Sequence, residues 1–278
     1  MKKIGFVDYY LSEWHANHYP AWIAEACEKA GLSYRLAYAW AERSESPLDG
    51  VTTEAWCEKY GAERCEILEE LCERSDVIVI LAPSDPDRHL AYAETVFSYG
   101  KPTYVDKTFA PDLATAEKIF ALGKAYGTPF FSTSALRYAE ELNVCENCRR
   151  ITVTGGGSLV EEYIVHQAEM VVKKLGIGAR WIRAEKMGEQ TIFRVRYGDD
   201  RGAMMLFAPA MPFEAYMEGD VSKHRAMKSP FFAHLIADMI RFFEEKTVSF
   251  DIAETLEVMK IREGAIRSMG KFCEWIEL

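Results

Sequence analysis

Glycine is missing from the turn in which a nucleotide-binding fold would place its phosphate loop. The strand-like segment Lys3–Asp8 runs into the turn Asp8–Ser12 (DYYLS), and a helix-like segment follows. Glycines in such a turn let the backbone approach a pyrophosphate and let helix and strand pack closely. Asp8 also puts a negative charge where phosphates would lie. The sequence therefore lacks the usual phosphate-binding loop.

An excess of positive charge and long apolar runs are missing as well. The 33 Lys and Arg face 43 Asp and Glu, a formal net charge of -10, and nucleic acid or an anionic membrane would repel such a chain. No apolar run reaches the roughly 20 residues that a membrane-spanning helix needs. The apolar N-terminal segment breaks at Asp8, too early for a signal peptide. We expect a cytoplasmic protein with no nucleic-acid or membrane partner.

The cysteines lack the pattern of a disulfide framework or a metal site. Their number, seven, is odd, and they lie mostly in helix-like segments, which favours a reducing setting. Cys145 and Cys148 have CxxC spacing, but no second CxxC or HxxxH follows, as a zinc site would need. The strand–helix context of a thioredoxin-like pair is also missing. We interpret them as two thiols near a helix end and predict no metal.

The first half contains a regular alternation of buried strands and amphipathic helices. The predicted strands are Lys3–Asp8, Tyr34–Ala41, Asp76–Leu81, Thr103–Asp106 and Pro129–Thr133. The predicted helices include Glu13–Ala30, broken or kinked near Pro20, Thr53–Tyr60, Ile67–Arg74, and a helix from Asp112 as its cap through Tyr126. Strands this apolar, each followed by a helix, predict a parallel sheet covered on both faces.

After about residue 140 the strands follow one another closely, which predicts an antiparallel sheet. Asp220–Ser229 is polar and is expected to be a loop over that sheet, and two helices, Pro230–Glu245 and Ile252–Met269, follow. The predicted fold class is α/β. Residues 1–138 would form a Rossmann-like, doubly wound parallel sheet, and residues 139–278 an α+β domain with a mainly antiparallel sheet. The final helices can pack back on the first domain.

Four motifs follow one another in an order that is typical of one enzyme family. They are APSDPDRH (82–89), DKT (106–108), LRY (136–138) and GGGSLVEEYIVHQAE (155–169). They resemble the A-T-P-x-x-x-H, E-K-P, L-R-F and G-G-G-x-L-x-D-x-G-x-H-x-x-D motifs of the glucose–fructose oxidoreductase/inositol dehydrogenase family (Gfo/Idh/MocA). The resemblance spans nearly the whole chain. The chain departs from these motifs at four positions. Asp106 and Thr108 replace the glutamate and proline of E-K-P, and Glu162 and Glu169 replace the two aspartates of the glycine motif.

The resemblance implies an NAD(P)-dependent oxidoreductase that moves a hydride between nicotinamide and a sugar, polyol or related hydroxy compound. Oxidation of a secondary alcohol needs a base for the hydroxyl proton and a cation for the developing alkoxide. Glu162 and His166 are four residues apart, hence on one helical face, and can supply the base. Lys107 can supply the cation. Taken singly, they also fit a surface ion pair and a solvated loop lysine.

Loops at the carboxyl ends of the predicted strands are the expected ligand sites. The predicted cofactor-binding residues, for NAD or NADP, are Tyr10, Ser12, Glu42, Ser84, His89 and Asp106; the predicted substrate-binding residues are Arg137, Tyr138 and Tyr163. Ser12 is the expected cap of the first helix. Trp40 stands where an acid would bind the ribose, so this second determinant is weak. His15 lies beside the first loop, where a partly buried helical histidine is the commoner case.

Two other functions stay open. The glycine-free turn and Trp40 favour a non-redox, carbohydrate-type ligand-binding or regulatory protein on the same scaffold. Acid–base chemistry without a cofactor, such as elimination or hydrolysis, is the other. The predicted partner is a small molecule. The resemblance also implies a homo-oligomer built through the apolar strands Ala203–Ala208 and Phe213–Glu218, which core packing explains equally well.

Overall fold

The computed structural model describes residues 1–278, which form two compact units. The first contains Met1–Ser132 and Leu235–Phe250, and the second contains Thr133–His234 and Asp251–Leu278. The second unit thus begins before the boundary expected at residue 138, and the segment Leu235–Phe250 belongs to the first. None of the helices combines the length and the apolar character that crossing a membrane requires.

The first unit is a six-stranded parallel sheet with the strand order β3-β2-β1-β4-β5-β6. The strands are β1 (Lys2–Asp8), β2 (Tyr34–Ala41), β3 (Glu63–Arg64), β4 (Val77–Ile80), β5 (Thr103–Val105) and β6 (Phe130–Phe131). The helices are α1 (Trp14–Ala30), α2 (Thr53–Tyr60), α3 (Leu68–Arg74), α4 (His89–Val96) and α5 (Leu113–Tyr126). The predicted doubly wound sheet is confirmed, and its order reverses between β1 and β4, where such folds bind ligands.

The helix ends in this unit follow from local chemistry. α1, α2 and α5 end at Gly31, Gly61 and Gly127, each in the left-handed conformation that glycine adopts without strain. The prediction was a break or a kink near Pro20; α1 continues through this residue, so the break is wrong. The helix α7 (Phe231–Glu245) adds aromatic side chains from far along the chain. Phe242 packs its ring 4.8 Å from that of Phe131.

The second unit is a seven-stranded sheet with the order β12-β11-β7-β10-β9-β8-β13. Its strands are β7 (Arg150–Gly155), β8 (Ala179–Met187), β9 (Gln190–Tyr197), β10 (Gly202–Phe207), β11 (Glu214–Glu218), β12 (Ser222–Ala226) and β13 (Ile276–Glu277). β7 and β10 are parallel and every other pair is antiparallel, so the mainly antiparallel sheet is confirmed. The expected loop at 220–229 is wrong, because it contains β12, a polar edge strand paired with β11.

Two helices, α6 (Val160–Leu175) and α8 (Ala253–Ser268), pack against each other and on this sheet. Buried and more exposed residues alternate along β9 and β10, so the helices cover one face of the sheet. Ile164, Val165 and Ala168 of α6 lie in the core of this unit with Ile261 and Ala265 of α8. The core fixes α6, which carries the predicted Glu162 and His166.

Candidate functional site

The turn after β1 begins with a buried carboxylate. Asp8 is 1% exposed, and its Oδ1 accepts hydrogen bonds from the amides of Tyr9 (2.7 Å) and Ala82 (3.0 Å). Its Oδ2 is buried without a hydrogen-bond partner. Burial, reinforced by the charges of Glu13 and Asp106, raises the pKa of Asp8 well above its usual value. Asp8 therefore ties the end of β1 to the loop after β4 at an electrostatic cost.

A raised pKa gives Asp8 a definite signature in stability. The folded chain holds this proton more tightly than the unfolded chain, so the contribution of Asp8 to stability is greatest below the ordinary carboxyl pKa of 3.8 and is lost as pH rises through the raised value. Asp8→Asn keeps the two amide bonds and removes the titration. We expect denaturant unfolding across pH to show a flatter fall for this variant, because each tenfold difference in proton affinity between folded and unfolded chains is worth about 1.4 kcal/mol. Asp87→Asn, an exposed control, should leave the slope unchanged; an unchanged slope in Asp8→Asn would contradict the assignment.

Glu13 caps α1, which corrects the expectation that Ser12 does so. The Glu13 carboxylate accepts the amide hydrogens of His15 (2.7 Å) and Ala16. Ser12 instead takes a left-handed backbone (φ 64°) and donates its hydroxyl to Oδ2 of Asp49 at 2.7 Å. Burial raises the pKa of Glu13 above its usual value. The amide donors at the start of α1 are therefore bound by the chain itself.

Asp106, at the carboxyl end of β5, lies in a buried polar cluster. Its carboxylate accepts hydrogen bonds from the hydroxyls of Tyr104 (2.9 Å) and Tyr19 (3.4 Å) and contacts Nδ1 of His15. The ring of His15 stacks on that of Tyr19. Burial works against ionisation, but the attraction and hydrogen bond of His15 outweigh it and lower the pKa of Asp106. Asp106 was predicted to contact a cofactor; the structure gives it these internal partners, and His15 was not among the predicted site residues.

Lys107 and His89 lie where the strands β4 and β5 end. Lys107 is half-buried, and its Nζ donates to the carbonyl oxygen of Pro83 at 3.3 Å. His89 is fully buried, with Nδ1 3.0 Å from the carbonyl oxygen of Phe109 and Nε2 2.5 Å from that of Leu81. Burial lowers the pKa of His89. Its ring faces two backbone carbonyls, so it joins the loops that follow these strands.

The loop after β2 also has internal partners for its predicted residues. Glu42 accepts a hydrogen bond from the hydroxyl of Tyr92 (2.7 Å) and pairs with Arg88 (3.3 Å). Trp40 packs its ring on that of Tyr92. Tyr10, in the first turn, is half-buried, and burial raises its pKa to about 12. Ser84 is exposed in the loop after β4.

In the second unit, a serine contacts the predicted histidine. Ser134 follows β6, and its Oγ lies 2.7 Å from Nδ1 of His166 on α6. The same Oγ accepts the amide hydrogen of Leu136 at 3.2 Å, which fixes its position. Ser134 is 1% exposed and His166 half-buried. Ser134 was not predicted, since a contact between residues 32 apart leaves no local pattern.

Close packing against two glycines positions the rings around His166. The ring of Phe213 lies edge-on to that of His166, with centroids 5.7 Å apart. A Cβ on Gly155 would lie 2.4 Å from Phe213, and a Cβ on Gly157 would lie 2.1 Å from the ring of Tyr163. Tyr163 is half-buried, and its ring centroid lies 5.8 Å from that of His166. The glycine motif thus lets two aromatic rings approach the backbone beside the histidine.

Arg137 was predicted to bind substrate, but the structure places it in a buried ion-pair network. It is 5% exposed; Nε donates to Glu169, and one terminal nitrogen donates to Glu254 at 2.7 Å. Glu169 also accepts the amide hydrogen of Ser134 at 3.1 Å. The nearby Lys173 donates to the carbonyl oxygen of Arg137 at 2.6 Å. This network holds the backbone at Ser134 and therefore supports the contact to His166.

The remaining residues that the sequence analysis singled out also lie in this unit. Glu162 is half-buried on α6, one turn before His166. Tyr138 is half-buried in the short helical turn Ala135–Tyr138, and its carbonyl oxygen lies 3.2 Å from Nδ1 of His234. Cys145 and Cys148 are buried free thiols, and burial raises the pKa of Cys148 to about 11. The chain contains no group of three or more His, Cys, Asp or Glu side chains arranged to hold a metal ion.

Comparisons with known proteins give two kinds of similarity. No protein-family model matches the chain. A curated relative, described as the uncharacterized oxidoreductase YhhX of Escherichia coli (strain K12), is 36% identical over 66 residues. That match spans 23% of this chain and 19% of the relative, so the chain covers about a fifth of its length.

Solved structures match over nearly the whole chain. A probable dehydrogenase from Thermotoga maritima has a TM-score of 0.80 at 9% identity and covers 99% of this chain and 98% of its own. A putative myo-inositol dehydrogenase from Sinorhizobium meliloti 1021 has a TM-score of 0.75 at 12% identity, and the match covers 100% of this chain and 99% of that one. GenD2 from gentamicin A biosynthesis, in complex with NAD, has a TM-score of 0.74 at 11% identity, and the match covers 100% of this chain and 97% of that one. The chain therefore has the fold of these dehydrogenases.

Proposed function

We propose that the chain is an oxidoreductase of the Gfo/Idh/MocA type that acts on a hydroxyl group of a sugar, polyol or related hydroxy compound. The shared fold and the short match to YhhX support an oxidoreductase. Within this chain, the observation that carries the proposal is the position of the His166 imidazole. Its Nδ1 is held by Ser134, and the helix that carries His166 also carries Glu162.

Each residue has a defined task in this reaction. His166 takes the proton from the substrate hydroxyl, because an imidazole accepts and returns protons near neutral pH. The Glu162 carboxylate, one helical turn away, stabilises the imidazolium that forms. Lys107 stays the predicted source of the positive charge that this chemistry needs. Oxidation of the hydroxyl also needs a hydride acceptor from outside the chain, because none of these side chains can accept a hydride.

The dinucleotide implied by the family does not fit the first unit in its usual position. Two amides at the start of α1 are bound by Glu13. Trp40 stands at the place of the ribose-binding acid, and Glu42, two residues later, is bound by Tyr92 and Arg88. We therefore assign no step of the reaction to NAD or NADP. This disagreement favours one second candidate, a non-redox protein on the same scaffold with a carbohydrate-type ligand. Self-association through the second sheet stays a prediction.

A substrate screen tests the proposal. The purified protein is given NAD⁺ or NADP⁺ with a panel of sugars, polyols and hydroxy acids, and absorbance of the reduced nicotinamide is followed. We expect turnover of at least one compound with one of the two dinucleotides. The same panel is then tested for shifts in melting temperature without dinucleotide. A shift with one sugar and turnover with none would establish the second candidate instead.

A further inference from the structure

We infer that Glu13 is an internal competitor for the phosphate site of the first unit, so that a dinucleotide binds only by displacing its carboxylate from the start of α1. In a doubly wound sheet the phosphate site is the N-terminus of the helix that follows β1, beside the point where the strand order reverses. The first amides of a helix have no partner within it and carry partial positive charge. In this chain, both oxygens of one carboxylate bind two of these amides.

Other helices of the first unit are capped differently. Thr52 caps α2 with a neutral hydroxyl and a single hydrogen bond to the amide of Ala55 at 3.2 Å. The cap of α5 is Asp112, whose Oδ1 accepts from the amide of Thr115 at 2.7 Å. Glu13 instead accepts from two successive amides, those of His15 and Ala16, as two oxygens of a phosphate would. Glu13 therefore supplies the anion that the fold would take from a ligand.

The charges around Glu13 add to this competition. Asp8 is buried beside it with an oxygen that has no hydrogen-bond partner, and the charge of Asp106 also acts on both carboxyl groups. A pyrophosphate placed at the same helix end would add negative charge to this group of acids. His15 is the basic side chain that acts on Glu13, and it is already bound to Asp106. An added anion would therefore compete with Asp106 for the positive charge of His15.

The test is the affinity of Glu13→Ser for two probes, NADH by fluorescence titration and inorganic pyrophosphate by calorimetry. Serine is among the preferred helix caps, so the variant keeps a neutral cap and loses the carboxylate. We expect both probes to bind Glu13→Ser about tenfold more tightly than they bind the unaltered chain, a change of about 1.4 kcal/mol. Glu13→Gln, which keeps the size and removes the charge, should lie between the two. It also serves if Glu13→Ser does not fold.

The matched control is Glu25→Ser on the same helix. Glu25 is exposed and pairs with Lys29, so this substitution changes the net charge equally and leaves the helix end intact. Equal affinities for Glu13→Ser and the unaltered chain overturn the inference. An equal gain in affinity in Glu25→Ser also overturns it. So does the absence of binding of either probe to both Glu13→Ser and the unaltered chain.

The inference rests on the proposed function only in taking a dinucleotide as the displaced ligand. Tighter pyrophosphate binding by Glu13→Ser, with no turnover of any sugar by the unaltered chain, supports the inference and contradicts the proposed function. Turnover by the unaltered chain, with equal affinities for Glu13→Ser and the unaltered chain, supports the proposed function and contradicts the inference.

Discussion

Replacing Glu169 with alanine is expected to lower the free energy of unfolding by about 3–5 kcal/mol. Glu169 is 3% exposed and binds both the guanidinium of Arg137 and the amide of Ser134. Its removal leaves a buried cation with one carboxylate fewer and a buried amide without its acceptor, and both are costly. Urea unfolding at neutral pH, followed by circular dichroism, measures the loss.

The control is Glu161→Ala, an exposed position in the first turn of the same helix, which should change stability by no more than about 0.5 kcal/mol. Glu169→Gln keeps an acceptor for the amide of Ser134 and should cost less than the alanine variant. A loss below about 1 kcal/mol in Glu169→Ala would show that Arg137 is well solvated or fully neutralised by Glu254.

Replacing His166 or Lys107 with alanine is expected to reduce kcat about 10²–10⁴-fold on whichever substrate the screen identifies. The His166 variant lacks the proton acceptor, and the Lys107 variant lacks the predicted positive charge. Steady-state kinetics on the two single variants measures these losses.

Ser134→Ala separates positioning from proton transfer. It removes the contact at Nδ1 of His166 but keeps the imidazole, so we expect a fall of about tenfold in kcat and a displaced pH profile, with Ser134→Thr restoring part of both. The control is His224→Ala, an exposed histidine of β12 paired with Glu214, which should keep full activity. Full activity in both His166→Ala and Lys107→Ala would refute the proposed chemistry.

Elements with a strong pattern of their own were predictable from the sequence. β2 and α2 have the predicted bounds, Tyr34–Ala41 and Thr53–Tyr60, since a buried run and a glycine stop are local signals. β12 was missed because the polar residues of an edge strand have no such pattern, and their conformation depends on pairing with β11. Local chemistry thus determines the elements that bury their own side chains.

The candidate site was predictable only in part, for the same physical reason. The four-residue spacing of Glu162 and His166 predicts that they share one helical face, and both lie on α6. The partners of these residues come from elsewhere: Ser134 lies 32 residues from His166, and His15 lies 91 residues from Asp106. Ser12 is a better intrinsic cap than Glu13, but its hydroxyl is bound by Asp49, a residue that only the fold brings near.

The first unit is assembled from two separated stretches, 1–132 and 235–250, and this has a consequence for biosynthesis. The ring of Phe131 packs on Phe242 and that of Tyr34 on Phe243, so α7 supplies part of the cover of these aromatic side chains. At about 5–20 residues per second, a ribosome needs several seconds or more to deliver that helix after β6 has emerged. During this interval the nascent chain exposes apolar rings that a chaperone can bind.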